Sequence, residues 1–298
     1  MYKIAGHTMG TPEYTVKEAL RLFKEIGADG AEIVVQDGYQ SGIPTGASDE
    51  VLKDIKACAD ENGIEIIALT PYNSHFNSLN EEERISELRA IEEVIHYCEV
   101  LGAKCIRIYG GNVSQGETDR LDEKRAKLVE SMKYLGEKAM AAGVTLVVEN
   151  HFNTMTLTAR QSADLIRDVN CPGVRILYDQ ANLTFTGNEP YEEAVEIQSG
   201  LIGHMHVKDL KFHEGNTEFK SSDVSHPDES ERNVYTRIVG EGVVPWKEIL
   251  QDVKDHGYTG WLSLEYERRW HPDDIPDASI GMKKSIQYLR EECFPLLK

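Results

Sequence analysis

Eight times along the chain, a short apolar run that reads as a strand is followed by a longer run that reads as an amphipathic helix. No other feature restricts the fold as much. The strands are expected at 3–8, 30–35, 64–70, 105–111, 145–151, 174–179, 201–209 and 261–267. The helices are expected at 11–27, 48–62, 81–102, 119–142, 158–169, 189–199, 245–256 and 276–292. The strands are rich in Ile, Val and Leu and contain no proline. The first helix carries Val16, Ala19, Leu20 and Phe23 on one side and stops at Gly27, while Ser48 and Gly63 suit the start and stop of the second. Strict alternation of this kind demands a parallel sheet covered by helices. Eight units are the number that closes a (β/α)8 barrel, and 1–298 is expected to be one such α/β domain. A doubly wound open sheet is the runner-up. It fits less well, because no G-x-G-x-x-G follows the first strand and polar residues collect at many strand ends instead of one crevice.

Acidic residues outnumber basic ones, giving a formal net charge of −19. That balance argues against nucleic acid or an anionic membrane as the main partner, since both demand a basic surface. No apolar run approaches the roughly 20 residues of a membrane span, and MYKIAGHTMG lacks the regions of a signal peptide. A cytoplasmic location is therefore expected. Cys58, Cys98, Cys105, Cys171 and Cys293 are odd in number and show no C-x-x-C spacing. They read as reduced, mostly buried thiols rather than as a disulfide or zinc framework.

In such a barrel the loops that follow the strands build the active site. The fifth strand closes on Glu149 and His151, the sixth on Asp179, the seventh on His206 and the eighth on Glu265 and Glu267. Carboxylates brought this close repel one another, and a divalent cation resolves the conflict. Glu149, Asp179, His206 and Glu265 are assigned as metal ligands. One nitrogen with several carboxylate oxygens suits magnesium, manganese, cobalt or zinc, with manganese placed first. In GHMHVKD, His204, His206 and Lys208 alternate onto one strand face, and Asp209 points the other way as an anchor for the loop. That loop, about 210–244, is long enough to be a lid or a subunit contact.

The segments VVENH, YDQANL, GHMHVKD and GYTGWLSLEYE resemble the sugar phosphate isomerase/epimerase group of xylose isomerase-like TIM barrels, and the likeness runs along essentially the whole chain. The resemblance implies a Glu, Asp, His, Glu metal quartet at the four positions already assigned, with His206 as the ligand from GHMH. It also exposes departures. Met155 stands where ketose 3-epimerases of the group have a second glutamate, Asn182 where they have a histidine, and Phe212 where they have an arginine.

His151, Glu267 and Lys208 are accordingly the candidate acid/base residues. His151 is expected beside the metal if its strand continues, or else as a residue that orients a ligand. Arg107, His204, Asn182, Tyr72, His7 and Trp270 are assigned to the substrate, with Trp270 able to stack on a sugar ring. For Arg107 an internal ion pair is the competing reading. The expected function is a metal-dependent isomerase or epimerase acting on a sugar, keto-sugar or cyclitol through an enolate. The alternative is a lyase using the same enolate, such as an inosose-type dehydratase or an enzyme that eliminates from 3-keto-glycosides, including C-glycosides. A DNA-repair enzyme like endonuclease IV is more remote, because Tyr109 and Asn182 occupy positions where extra zinc-binding histidines would be needed. The expected partners are a small sugar or cyclitol, with no nucleic acid and no membrane, and a homo-oligomer or partner subunit is left open.

Overall fold

The computed structural model describes residues 2–114, 116–213 and 232–298. Among these, eight parallel strands form a closed barrel. They are β1 (Lys3–His7), β2 (Gly30–Val35), β3 (Glu65–Pro71), β4 (Cys105–Tyr109), β5 (Thr145–Glu149), β6 (Val174–Asp179), β7 (Ile202–Val207) and β8 (Trp261–Leu264). Each pairs with its neighbours in chain order, and β1 pairs with both β2 and β8, which closes the ring. The helices α1 (Val16–Ile26), α2 (Asp49–Asn62), α3 (Glu81–Leu101), α4 (Leu121–Ala141), α5 (Ala159–Val169), α6 (Gln180–Gly187), α7 (Tyr191–Gln198), α8 (Trp246–Asp255) and α9 (Ala278–Tyr288) follow the strands.

Local chemistry sets these boundaries. Thr15 and Glu18 form a capping box at the start of α1, and Gly27 ends it at φ 91°, a left-handed conformation that costs glycine little. Thr158 and Gln161 repeat the box on α5. Ser48 occupies the expected cap of α2 but makes no side-chain bond there; Asp49 and Glu50 in the first turn favour that start through the helix dipole instead. The apolar core includes Phe23, Leu52, Leu69 and Trp246, all fully buried. The five cysteines are free, four of them buried. Among the described residues, no helix is long and apolar enough to cross a membrane.

Three departures from the expected elements bear on the site. First, β5 stops at Glu149 instead of continuing to His151. The Asn150 side chain bonds both the N–H and the C=O of Asp179, at 3.0 and 2.8 Å, so a side chain replaces the next ladder contact. Second, α6 starts directly after β6, with Asp179 as its cap. Third, the segment after β7 begins as an antiparallel hairpin, Asp209–Phe212 with Val234–Arg237. Residues 214–231, the middle of the expected loop, lie outside the described residues.

Asp209 anchors that segment as its position on the strand implied. Its carboxylate accepts the N–H groups of Leu210, Gly240, Gly242 and Val244. A Cβ on Gly242 would stand 2.1 Å from Asp209 Oδ1, so this turn requires glycine.

Candidate metal centre

Register brings the quartet together. Asp179 on β6 is level with His206 on β7, His206 is level with Ser263 on β8, and Glu265 follows two residues later. Glu149 ends β5 beside them. One donor atom from each of Glu149, Asp179, His206 and Glu265 lies within 4.8 Å of the others. All four residues are buried, Glu265 being the most exposed at 5%. His206 directs Nδ1 into the cluster, 3.5 Å from Glu149 Oε1 and 3.4 Å from Glu265 Oε1.

Cations and amides hold these carboxylates. Arg107 grips Glu149 through Nε at 2.6 Å and through Nη2, with its guanidinium 3.7 Å over the Tyr109 ring. Asn182 donates Nδ2 to Glu149 Oε1 at 3.1 Å and to Asn150 O at 2.9 Å. Lys208 Nζ lies 2.6 Å from Glu265 Oε2 and 3.1 Å from both Glu267 Oε1 and Asp179 Oδ2. Trp246 fixes the Lys208 backbone by donating Nε1 to its carbonyl at 3.1 Å.

Sequence reasoning passed over one residue, Glu32. It sits inside the apolar run GAEIVV on β2, fully buried, and reaches across the barrel to His204 at 2.9 Å and to His206 at 3.2 Å. The only signal in the sequence is an acidic residue in the middle of an apolar strand.

The donor set fits a divalent cation. Four buried carboxylates, Glu32, Glu149, Asp179 and Glu265, face two buried permanent cations, Arg107 and Lys208. With neutral imidazoles, the site carries an excess of two negative charges. Among the described residues, His206 Nδ1 and Asp179 Oδ2 accept no hydrogen bond, although Lys208 lies 3.1 Å from the latter. Burial pushes the Asp179 carboxyl up to about 7; Lys208 opposes this, while Glu265 and Glu149 reinforce it. Burial works against the charge of Glu149 as well, yet Arg107, His206 and His151 together hold that carboxyl at about 2. Burial disfavours His206 as a cation, but Glu32, Glu265 and Glu149 together raise its pKa well above the ordinary value. Without a cation, protons must neutralise this cluster.

Other assigned residues fall in different places. His151 lies beyond the end of β5, its ring 4.9 Å from that of Tyr109, with Nδ1 2.8 Å from Phe152 O. The strand ends two residues before it, so the expectation that the strand continues to His151 is corrected, while the charge of Glu149 still reaches its ring. His204 and His7, both assigned to the substrate, are buried beside Glu32. His204 precedes His206 by two residues on β7, which puts it about 7 Å deeper along the strand, and its Nε2 is engaged by Glu32. His7 is fully buried with its ring 5.5 Å from that of His206, and burial lowers its pKa to about 4 against the pull of Glu32. Asn182 and Arg107 are occupied by Glu149, although Arg107 Nη1 has no hydrogen-bond partner among the described residues. Tyr72 and Trp270 converge on Met9, donating to its sulfur at 3.3 and 3.1 Å, and Trp270 is 37% exposed.

Residues 20–292 match the family model described as Xylose isomerase-like TIM barrel. The chain belongs to this family. It is similar to the inosose dehydratase of Geobacillus thermodenitrificans (strain NG80-2), 26% identical over 237 residues that cover 76% of each chain. Its fold is similar to that of the IOLI protein with a binding zinc atom, with a TM-score of 0.78, 19% identity, and coverage of 98% of this chain and 99% of that one. It is also similar to that of 3-keto-D-glucoside 4-epimerase, YcjR, from E. coli, with a TM-score of 0.72, 18% identity, and coverage of 98% and 100%. The resemblance seen in the sequence motifs and the barrel itself thus agree, and the relatives found by sequence include several inosose dehydratases.

Proposed function

We propose that this chain is a divalent-metal-dependent enzyme that removes a proton beside the carbonyl of a keto-sugar or ketocyclitol. The observation that carries this reading is the buried quartet, in which, among the described residues, His206 Nδ1 makes no hydrogen bond and Asp179 Oδ2 is met only by the Lys208 ammonium at 3.1 Å. A divalent cation, manganese first among magnesium, cobalt and zinc, would supply a Lewis acid that acidifies the carbon next to the carbonyl.

The chain's own residues do the rest. His151 is the base. Its Nδ1–H donates to Phe152 O, which leaves Nε2 as an unprotonated acceptor, and burial holds its pKa below the ordinary value. It is therefore neutral and ready to accept a proton at pH 7. Lys208 keeps its proton among Asp179, Glu265 and Glu267 and sets a positive charge beside the oxygen where negative charge develops. Tyr72 and Trp270 are the sugar-facing groups, and Arg107 Nη1 is a further donor. Returning the proton to a neighbouring carbon gives an isomer, and returning it to the opposite face gives an epimer.

A second outcome, β-elimination, is favoured by Met155. It replaces the second glutamate of the group's ketose epimerases and packs against the apolar core, so a carboxylate pair acting on both faces of one carbon is missing. A single base that passes the proton it has taken on to the departing oxygen, with Lys208 stabilising the enolate and Glu267 as the remaining acid/base candidate, suits loss of a β-hydroxyl or of a glycosidic substituent. The similarity to an inosose dehydratase supports that branch. DNA repair is disfavoured: Tyr109 stacks on Arg107 and Asn182 bonds Glu149, so neither position offers an imidazole. The cytoplasm and a small-molecule partner are the proposed setting.

The test is incubation of the manganese-loaded protein with ketoses and inososes in deuterated buffer, followed by NMR. Deuterium at the carbon beside the carbonyl is expected, with epimer or dehydrated product separating the two outcomes. Absence of exchange in every substrate would overturn the reading.

A further inference from the structure

Glu32 is a fully buried carboxylate that the proposed reaction leaves unused. Four donors surround it. Thr70 Oγ1 lies 2.5 Å from Oε1 and His204 Nε2 lies 2.9 Å from Oε2. His206 Nε2 lies 3.2 Å from both oxygens, and His7 Nε2 lies 3.6 Å from Oε1. Because His7 Nδ1 accepts the Met9 N–H, the proton of a neutral His7 sits on Nε2 and faces Glu32. An ionised carboxylate only accepts hydrogen bonds, so each imidazole must turn an N–H toward it. For His206 the consequence is specific. When its ring is neutral, as metal binding requires, the remaining proton sits on Nε2 and Nδ1 presents its lone pair toward Glu149 and Glu265. The backbone supports this aim: the pairing of β2 with β3 slips by one residue between Ala31 and Glu32, and irregularities of this kind redirect side chains.

We propose that Glu32 is the positioning residue of the metal centre, committing His206 to bind through Nδ1 and increasing its basicity. This inference rests on the reading of Glu149, Asp179, His206 and Glu265 as a divalent-cation site. The competing use of the same atoms is a second cation held by Glu32, His204 and His206, which also group closely. It would require both Nε2 atoms to lose their protons and bind metal.

The test uses the full chain stripped with chelator and titrated with zinc, together with long-range 1H–15N NMR of the zinc-loaded, 15N-histidine-labelled protein. His206 signals are assigned by difference from His206→Gln. One zinc per chain is expected, with His206 protonated at Nε2 and bound at Nδ1. Glu32→Gln, which keeps the side-chain volume, is expected to weaken zinc binding by roughly 10–100-fold while leaving the far-UV circular dichroism of the zinc-free protein unchanged. Zinc affinity within about twofold of the unmodified chain, against that expected loss, overturns the proposal. So does zinc on His206 Nε2. If Glu32→Gln does not fold, the NMR of the unmodified protein decides alone. If the unmodified chain takes up no zinc, manganese or magnesium, the metal reading itself fails, and this inference fails with it.

Discussion

Two carboxylate–imidazole layers stand one above the other in this barrel, and they are built in opposite ways. At the strand ends, Glu149, Asp179 and Glu265 face His206 Nδ1, and two of the converging atoms accept no hydrogen bond among the described residues. One layer below, the single carboxylate of Glu32 collects Thr70, His204 and the other nitrogen of His206, with His7 slightly farther away. Both layers are buried, so burial does not distinguish them. The balance of donors and acceptors does. In the lower layer Thr70, His204 and His206 supply hydrogen bonds to both oxygens of its one carboxylate, and the atom left over, His7 Nε2 at 3.6 Å, is a surplus donor facing that same carboxylate. The upper layer has too many acceptors, a costly state in a buried site unless a cation completes it. His206 belongs to both layers, one nitrogen in each.

The strongest way to break this contrast is Asp179→Asn. Loss of a direct ligand should cost more than the roughly 100-fold upper range for an indirect partner, and deuterium exchange should fall below detection. Manganese binding by electron paramagnetic resonance gives the first readout. In the metal-free protein the same change should raise the melting temperature, because it removes a carboxyl whose charge burial opposes. Glu32→Gln should lower it. A metal-free protein that Asp179→Asn destabilises would mean that the upper layer is satisfied without metal.

Next in size is His151→Gln, which should keep metal binding and lose about 10²–10⁴-fold in the rate of proton removal, measured as deuterium exchange. Unchanged exchange would move the role of base to Glu267.

The two layers also differ in how much of them the sequence reveals. Each quartet residue closes an apolar strand or directly follows one, so the eightfold alternation alone brings Glu149, Asp179, His206 and Glu265 to one rim. Glu32 lies inside its strand, and its partners His204 and His206 are 172 and 174 residues away. Nothing local marks it except the charge itself, and the slip beside it leaves no trace in the residue types. The strand end before His151 is hidden for a related reason. Period-two reasoning carries β5 onward, but Asn150 ends it through bonds to the Asp179 backbone, a contact between strands that no single-strand pattern encodes. The early start of α6 hides behind the same residue, since Asp179 serves as strand end, helix cap and quartet member at once.

A smaller and graded effect should come from pH. The folded-state pKa of Asp179 is raised to about 7 and that of His206 is raised as well. As pH falls below 7, protons occupy the positions that metal binding requires. Affinity should therefore drop by about tenfold per pH unit for each proton displaced and recover as pH rises. Calorimetric titrations at pH 6, 7 and 8 would measure this, and an affinity that is flat across that range would place the cation outside the quartet.

The smallest effect is expected from His204→Leu, and it tests whether the lower layer acts through one contact or as a whole. This change deletes the donor at 2.9 Å from Glu32 Oε2 but leaves His206 within 3.2 Å of both oxygens and Thr70 on Oε1. Glu32 is not orphaned, so the stability cost should be that of one hydrogen bond to a charged group, about 1.5–3 kcal/mol, read from chemical denaturation. The bond that orients His206 survives, so metal affinity should change by less than the roughly tenfold lower range for an orienting partner. If His204→Leu weakened the metal as much as Glu32→Gln, His204 would also be aligning His206, by fixing where the Glu32 carboxylate sits. The unit that presents Nδ1 would then be the whole Glu32 cluster rather than a single carboxylate–imidazole pair.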